Sequence, residues 1–311
     1  MRNPPPFIDR EALLRALPMR AAVDTLEQAF AADDAMAPPR THLDVGRGDL
    51  LLMPAASPAG VGVKLVTVTP GNPARGVDLI HGVYVLFDPD IRAPLALIDG
   101  AAMTGLRTAA VSGLATRHLA RADATRLAVF GAGMQGRAHV TAMRAVREIT
   151  HVTVVSRTPA GAHALVDELS AEGIAASVGG PASVALADIV CTCTTSRSPV
   201  FDGALLPDGV HVNAVGAYQP TARELDTTTV RRGRLLVEDR AAALAEAGDL
   251  AIPIAAGDLA PDDIVADLRQ VVRGAAVRRS DDDVTVFKSV GLAMEDLAIA
   301  AAAVARHHGD E

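Results

Sequence analysis

The sequence lacks a basic excess, a cysteine framework and a long apolar run, and each absence closes a class of function. Its 37 acidic residues outnumber 29 Lys and Arg, for a formal net charge of −8. That leaves no basic footprint for nucleic acid, although local Arg and Lys can still hold a small anion. The two cysteines, Cys191 and Cys193, lie two apart in the apolar run ADIVCTCTT. Strand alternation points both to one side, and no other cysteine exists to complete a metal or disulfide site. Both read as small core residues, and a reducing, cytoplasmic compartment fits. His42, His81 and His139 are isolated and form no metal-spaced pair, so no metal is expected. No window of about 20 residues is apolar and charge-free. The nearest, SVGLAMEDLAIAAAAVARHH, is interrupted by Glu295 and Asp296 and reads as a buried or partner-facing helix rather than a membrane span. The start, MRNPPPFIDR, has three prolines and no apolar run, so no signal peptide is expected. Aromatics are scarce, with no Trp and two Tyr. No G-x-S-x-G, H-E-x-x-H or P-loop pattern occurs.

What is present is a glycine motif. Half of the 311 residues are hydrophobic, enough for two globular domains. In RLAVFGAGMQG the apolar run Leu127–Phe130 leads into Gly131, Gly133 and Gly136, the spacing G-x-G-x-x-G. Gly131 suits a tight turn, Gly133 a close backbone approach to a pyrophosphate, and Gly136 close packing of helix on strand. A helix start follows, including Met134 and Gln135, and then a second strand, HVTVVSRT. The motif therefore has the context of a dinucleotide site.

Around it the chain changes rhythm. Residues 8–32 read as one helix with a stripe of Leu13, Leu14, Leu17, Val23, Leu26 and Phe30, ended by Pro38 and Pro39. Residues 49–53, 61–69, 83–88 and 95–99 read as strands separated by Gly, Pro and Asn breaks. A small-residue helix covers about 101–120. From Arg126 strands and helices alternate, which predicts an α/β Rossmann domain with a doubly wound parallel sheet of about six strands. Residues 264–273 read as helix. The expected domains are 119–289 for the nucleotide and a discontinuous α+β substrate domain, 1–118 plus 290–311.

Several residues in this frame can carry chemistry. The end of the second strand holds Ser156, Arg157 and Thr158 where NAD enzymes place a carboxylate. An Arg with two hydroxyls suits a 2′-phosphate, so NADP(H) is the preferred cofactor, with NAD(H) possible. Lys64 lies in VGVKLVTVT, whose two faces are both apolar. A lysine in a buried strand meets an anion or works in catalysis; on an edge strand it reaches solvent. Arg107 shares a helix face with Thr104, Thr108 and Val111, a setting that suits a carboxylate or phosphate. His81 is a modest ligand candidate, His139 reads as helix packing, and Arg40 alone reads as a surface residue.

These residues together resemble the ornithine cyclodeaminase/mu-crystallin family. The likeness lies in GAGMQGRAH, MTGLRTAAVSGLA, GVKLVTVTPGN, PLALIDG, NAVGAYQPTARELD and TVFKSVGLAMEDLA, from about Arg40 to the C-terminus. It implies a homodimer whose split substrate domain forms the interface. It implies that Arg40 and Arg107 hold a substrate carboxylate and that Lys64 lies near the reacting carbon. Thr108, the glycine motif, the residues after the second strand, Thr194, Thr195, Val215, and Lys288, Ser289 and Gly291 of the FKSVG segment would contact the dinucleotide. Cyclodeaminases carry an Asp where this sequence has Tyr218. That departure and the NADP-like strand end point to the members that reduce ketimines such as Δ1-pyrroline-2-carboxylate, with Lys64 and Arg107 catalytic and Tyr218 shaping the pocket. The resemblance leaves two other readings: an ornithine or lysine cyclodeaminase or alanine dehydrogenase with bound NAD, and an NADPH-dependent carrier of small ligands.

Overall fold

The computed structural model describes residues 4–309. The first three residues of the proline-rich start and the last two of the expected substrate domain lie outside the described residues. The chain divides into two compact units, Met1–Arg107 with Gly291–Glu311, and Thr108–Val290. The helix Gly100–Leu119 is shared between them.

The first unit is built on a six-stranded sheet. Its strands are β1 (Phe7–Ile8), β2 (Thr41–Asp44), β3 (Asp49–Ser57), β4 (Gly60–Val68), β5 (Ile80–Phe87) and β6 (Pro94–Asp99). Their order is β1-β6-β5-β4-β3-β2, antiparallel except for β1 beside β6. The closing helix, Ala293–Gly309, packs on β3, β4 and β5 and on the two N-terminal helices. Leu13, Leu17, Leu26, Phe30, Leu86 and Ile98 fill that layer.

Two expectations change here. The single helix over 8–32 is instead a short strand and two helices, Arg10–Ala16 and Met19–Ala32. Pro18 causes the break, since it disfavours helical geometry at the residue before it and has no N–H to give. The second helix stops at Asp33, in the left-handed conformation, before either later proline. In β4 the faces also differ. Gly62, Lys64, Val66 and Val68 are buried, whereas Val61, Val63, Leu65 and Thr67 are only half-buried in the single chain.

The second unit is an eight-stranded parallel sheet, two strands more than the rhythm suggested. It contains β7 (Arg126–Phe130), β8 (His151–Val155), β9 (Ala176–Val178), β10 (Ile189–Thr192), β11 (His211–Ala214), β12 (Arg234–Val237), β13 (Ile264–Asp267) and β14 (Thr285–Lys288). The order is β13-β12-β14-β11-β10-β7-β8-β9. β14 is buried at every position and lies between β11 and β12. A strand buried at every position belongs to a sheet covered on both faces. Residues 264–273, expected as helix, open with β13, where buried Ile264 and Ala266 alternate with exposed Val265. Only then does Asp267, in a capping box with Gln270, start the helix Leu268–Val272.

Candidate active site

In the second unit the glycine turn has the geometry its spacing predicts. Gly131 has a φ of 103°, in the region that side chains avoid, and donates to Val155 O at 2.8 Å. A Cβ at Gly136 would lie 1.9 Å from Gly131 O, so only glycine lets the helix Met134–Val146 pack so closely. Gly133 caps that helix with no side-chain bond, and a Cβ there would meet no protein atom within 4 Å. The protein's own packing does not require glycine at 133. Beside the turn, Ser156 and Thr158 approach each other at the end of β8, and Arg157 is exposed. A Cβ at Gly161 would touch Thr158, Ser156 and Ala132, so the strand end and the glycine turn adjoin. This unit therefore fits a dinucleotide phosphate.

In the first unit three cations gather from distant parts of the chain. Lys64, on the buried face of β4, is 2.8 Å from Asp296. Arg107 lies 3.3 Å from both Glu295 and Asp296. Arg40 donates to Gly291 O. Gly291 has a positive φ, and a Cβ there would lie 2.2 Å from the Arg107 guanidinium. Lys64 and Asp296 are both essentially buried. Burial lowers the Lys64 pKa to about 8; Arg107 and Arg40 push the same way, and Asp296 opposes them. Tyr84 sits opposite Lys64 on β5, its hydroxyl above Gly62, where a Cβ would lie 2.0 Å from it. Burial and the Asp296 charge push its pKa above the tyrosine range, so it stays a phenol.

One expected substrate residue of the first unit stands apart from its cations. His81 is exposed and lies on the opposite face of the sheet from Lys64 and Tyr84. Tyr218 is half-buried against the apolar core of the second unit. Lys288 turns inward, donating to Ala217 O and pairing with Asp249 at 2.9 Å. The Ser289 hydroxyl donates to buried Glu238, and Gly291 backs onto Arg107 in the first unit. Thr194 and Thr195 follow β10 and Val215 follows β11, where Val215 N donates to Thr192 O. Thr108 is buried on the shared helix. His139 is a packing residue, bonded to Gln135 O and Ser112, with burial lowering its pKa to about 4. Both thiols are free, and burial raises Cys191 to about 12.

Sequence reasoning missed Glu295 and Asp296 as part of the site and saw them only as interruptions of an apolar helix. The signal was there: two acids in an otherwise apolar helix demand buried partners. Glu224, Asp249 and Glu238, all buried, were missed as well.

Comparison with known proteins agrees with this geometry. The model of the ornithine cyclodeaminase/mu-crystallin family matches residues 8–309. A Δ1-pyrroline-2-carboxylate reductase of Bacillus cereus is 39% identical over 282 residues, covering 88% of this chain and 86% of its own length. The structure of the Thermococcus litoralis Δ1-pyrroline-2-carboxylate reductase with NADH and L-proline superposes with a TM-score of 0.94 at 34% identity, covering 98% of both chains. An archaeal alanine dehydrogenase dimer with bound NAD gives 0.92 at 30% identity, over 98% of this chain and 96% of that one.

Proposed function

Because this chain belongs to the ornithine cyclodeaminase/mu-crystallin family, we propose that it reduces a small ketimine carboxylate to the amino acid with NAD(P)H. The substrate is of the Δ1-pyrroline-2-carboxylate or Δ1-piperideine-2-carboxylate type. One observation carries the reading: a buried lysine shares its carboxylate with a buried arginine. Arg107 and Arg40 hold the substrate carboxylate as charge-assisted donors and fix the orientation of the imine. Lys64, with its pKa lowered to about 8, still carries its proton at neutral pH and releases it readily. The dinucleotide, when bound, supplies the hydride that adds to the imine carbon. The C=N electron pair moves onto nitrogen, and Lys64 provides the balancing proton directly or through water.

The dinucleotide residues are Thr108, Gly131, Gly133, Met134, Gln135, Gly136, Thr194, Thr195 and Val215, with Ser289 behind them. Ser156, Arg157 and Thr158 favour NADPH over NADH, because an exposed guanidinium with two hydroxyls matches a 2′-phosphate. The proposed assembly is a homodimer formed on the outward face of the six-stranded sheet. Leu52, Val63, Leu65, Val83, Val85 and Leu97 lie there half-exposed in adjoining register. An apolar surface of that extent on a single chain calls for a partner.

The deciding assay follows NAD(P)H oxidation with both cyclic imines. Turnover with NADPH ahead of NADH is expected. Arg157→Ala should weaken NADPH use about tenfold and leave NADH use unchanged. Ammonia release from ornithine or lysine with catalytic NAD, or from alanine with stoichiometric reduction of NAD, and no imine reduction, would overturn the reading.

A further inference from the structure

The carboxyl ends of β10 and β11 are tied by one buried carboxylate that the reaction above does not use. Glu224 is fully buried, and its two oxygens accept four hydrogen bonds. Oε1 accepts from Thr194 N and Thr194 Oγ1, both at 2.7 Å. Oε2 accepts from Gly216 N at 2.7 Å and Thr192 Oγ1 at 2.9 Å. Thr194 follows β10 and Gly216 follows β11, so one side chain joins two loops. The loops have no slack toward the glycine turn. A Cβ at Gly216 would lie 2.2 Å from Thr194 O, and one at Gly131 would lie 2.5 Å from Cys193 O. Three stretches of backbone are thus in direct contact.

Glu224 is itself held from behind. Asp249 Oδ1 accepts from Glu224 N at 2.7 Å and Leu225 N at 2.8 Å. Lys288 pairs with the same Asp249. Burial raises the Glu224 pKa, while Lys288 and the Thr194 bonds oppose that. One donor on each oxygen is a backbone N–H, of Thr194 or of Gly216, which cannot turn to accept as the threonine hydroxyls can.

The topology says which half of a dinucleotide these loops serve. β7 is flanked by β8 and β10, and the strand order reverses there. A dinucleotide lies across such a switch point, with its adenosine ribose at the end of the second strand, here β8. The other half then lies over the ends of β10 and β11. We infer that Glu224 is a positioning residue for the nicotinamide half, fixing the loops after β10 and β11 through a carboxylate that accepts from both backbones. The inference rests on the dinucleotide reading above.

Glu224→Gln tests it. Whichever way the amide turns, its NH2 group faces a backbone N–H, of Thr194 or of Gly216. NADPH and 2′-phospho-ADP-ribose, the same ligand without nicotinamide, are titrated calorimetrically against wild type and variant. NADPH affinity should fall about tenfold or more while the fragment's stays within about twofold. Unchanged NADPH affinity, or equal losses for both ligands, overturns the proposal. Should that variant not fold, Thr192→Val removes one of the four donors inside the strand. A selective loss of NADPH affinity then supports the proposal, and no selective loss overturns it. A wild type that binds neither these ligands nor NADH defeats the dinucleotide reading itself, which is distinct from a variant that matches a binding wild type.

Discussion

The protein has two lysines, Lys64 and Lys288, and buries one in each unit. Each has an aspartate at nearly the same distance, 2.8 Å for Lys64 to Asp296 and 2.9 Å for Lys288 to Asp249. Their surroundings are opposite. Lys64 shares Asp296 with Arg107, and Arg40 adds a third positive charge. Lys288 gives a second bond to Ala217 O and stands near another carboxylate, Glu224. A lysine crowded by cations holds its proton loosely, and its neighbours attract a further anion. A lysine surrounded by acceptors is fixed in place. Burial and an ion pair are therefore common to both lysines; the sign of the next charge separates the proposed proton donor from the lysine held in place.

Removing each amine is the strongest way to break that contrast. Lys64→Met should lower imine turnover by about 10²–10⁴-fold, the range of a lost general acid, while NADPH affinity is kept. Wild-type turnover in this variant would remove Lys64 from the chemistry. Lys288→Met should act on stability instead. Stripping Asp249 of its buried cation should cost about 3–5 kcal/mol in urea unfolding. Lys64→Met should cost less, since Arg107 remains on Asp296. Equal stability losses for the two variants would erase the distinction.

pH sharpens it further. If Lys64 donates the proton, turnover should fall above pH about 8, roughly tenfold per unit. Asp296→Asn removes the charge that supports the protonated lysine, so this limb should move to lower pH. Asp249→Asn should leave it in place. A further effect is on stability. The folded Lys64 pKa, about 8, lies below the ordinary value of 10.5. Between those values the unfolded chain binds more protons, so the stability contributed by this group rises with pH there. Below pH 8 its penalty is fully present. Lys64→Met should lack that rise in urea unfolding followed from pH 8 to 10.5.

Local rules were legible in the sequence and long-range pairings were not. The turn at Gly131 and the close packing at Gly136 followed from spacing, because both are decided within six residues. Lys64 stood out because an alternating strand puts it on an apolar face. The same alternation could not say which face would be covered, so His81 stood as a modest candidate beside Lys64, and the two ended on opposite sides. The strand at 264–267 was hidden by its shortness, and the helix that Asp267 starts lent its pattern to the residues before it.

The sequence by itself determined the glycine turn, the apolar strand in which Lys64 is out of place, and the family, since each rests on neighbours in the chain. Only the tertiary structure decided which acids answer which bases. Asp296 reaches Lys64 from 232 residues away and Glu295 reaches Arg107 from 188. A pairing across such a separation leaves no periodic trace, because it is made by a closing helix laid on a sheet and not by any local preference of the residues that meet.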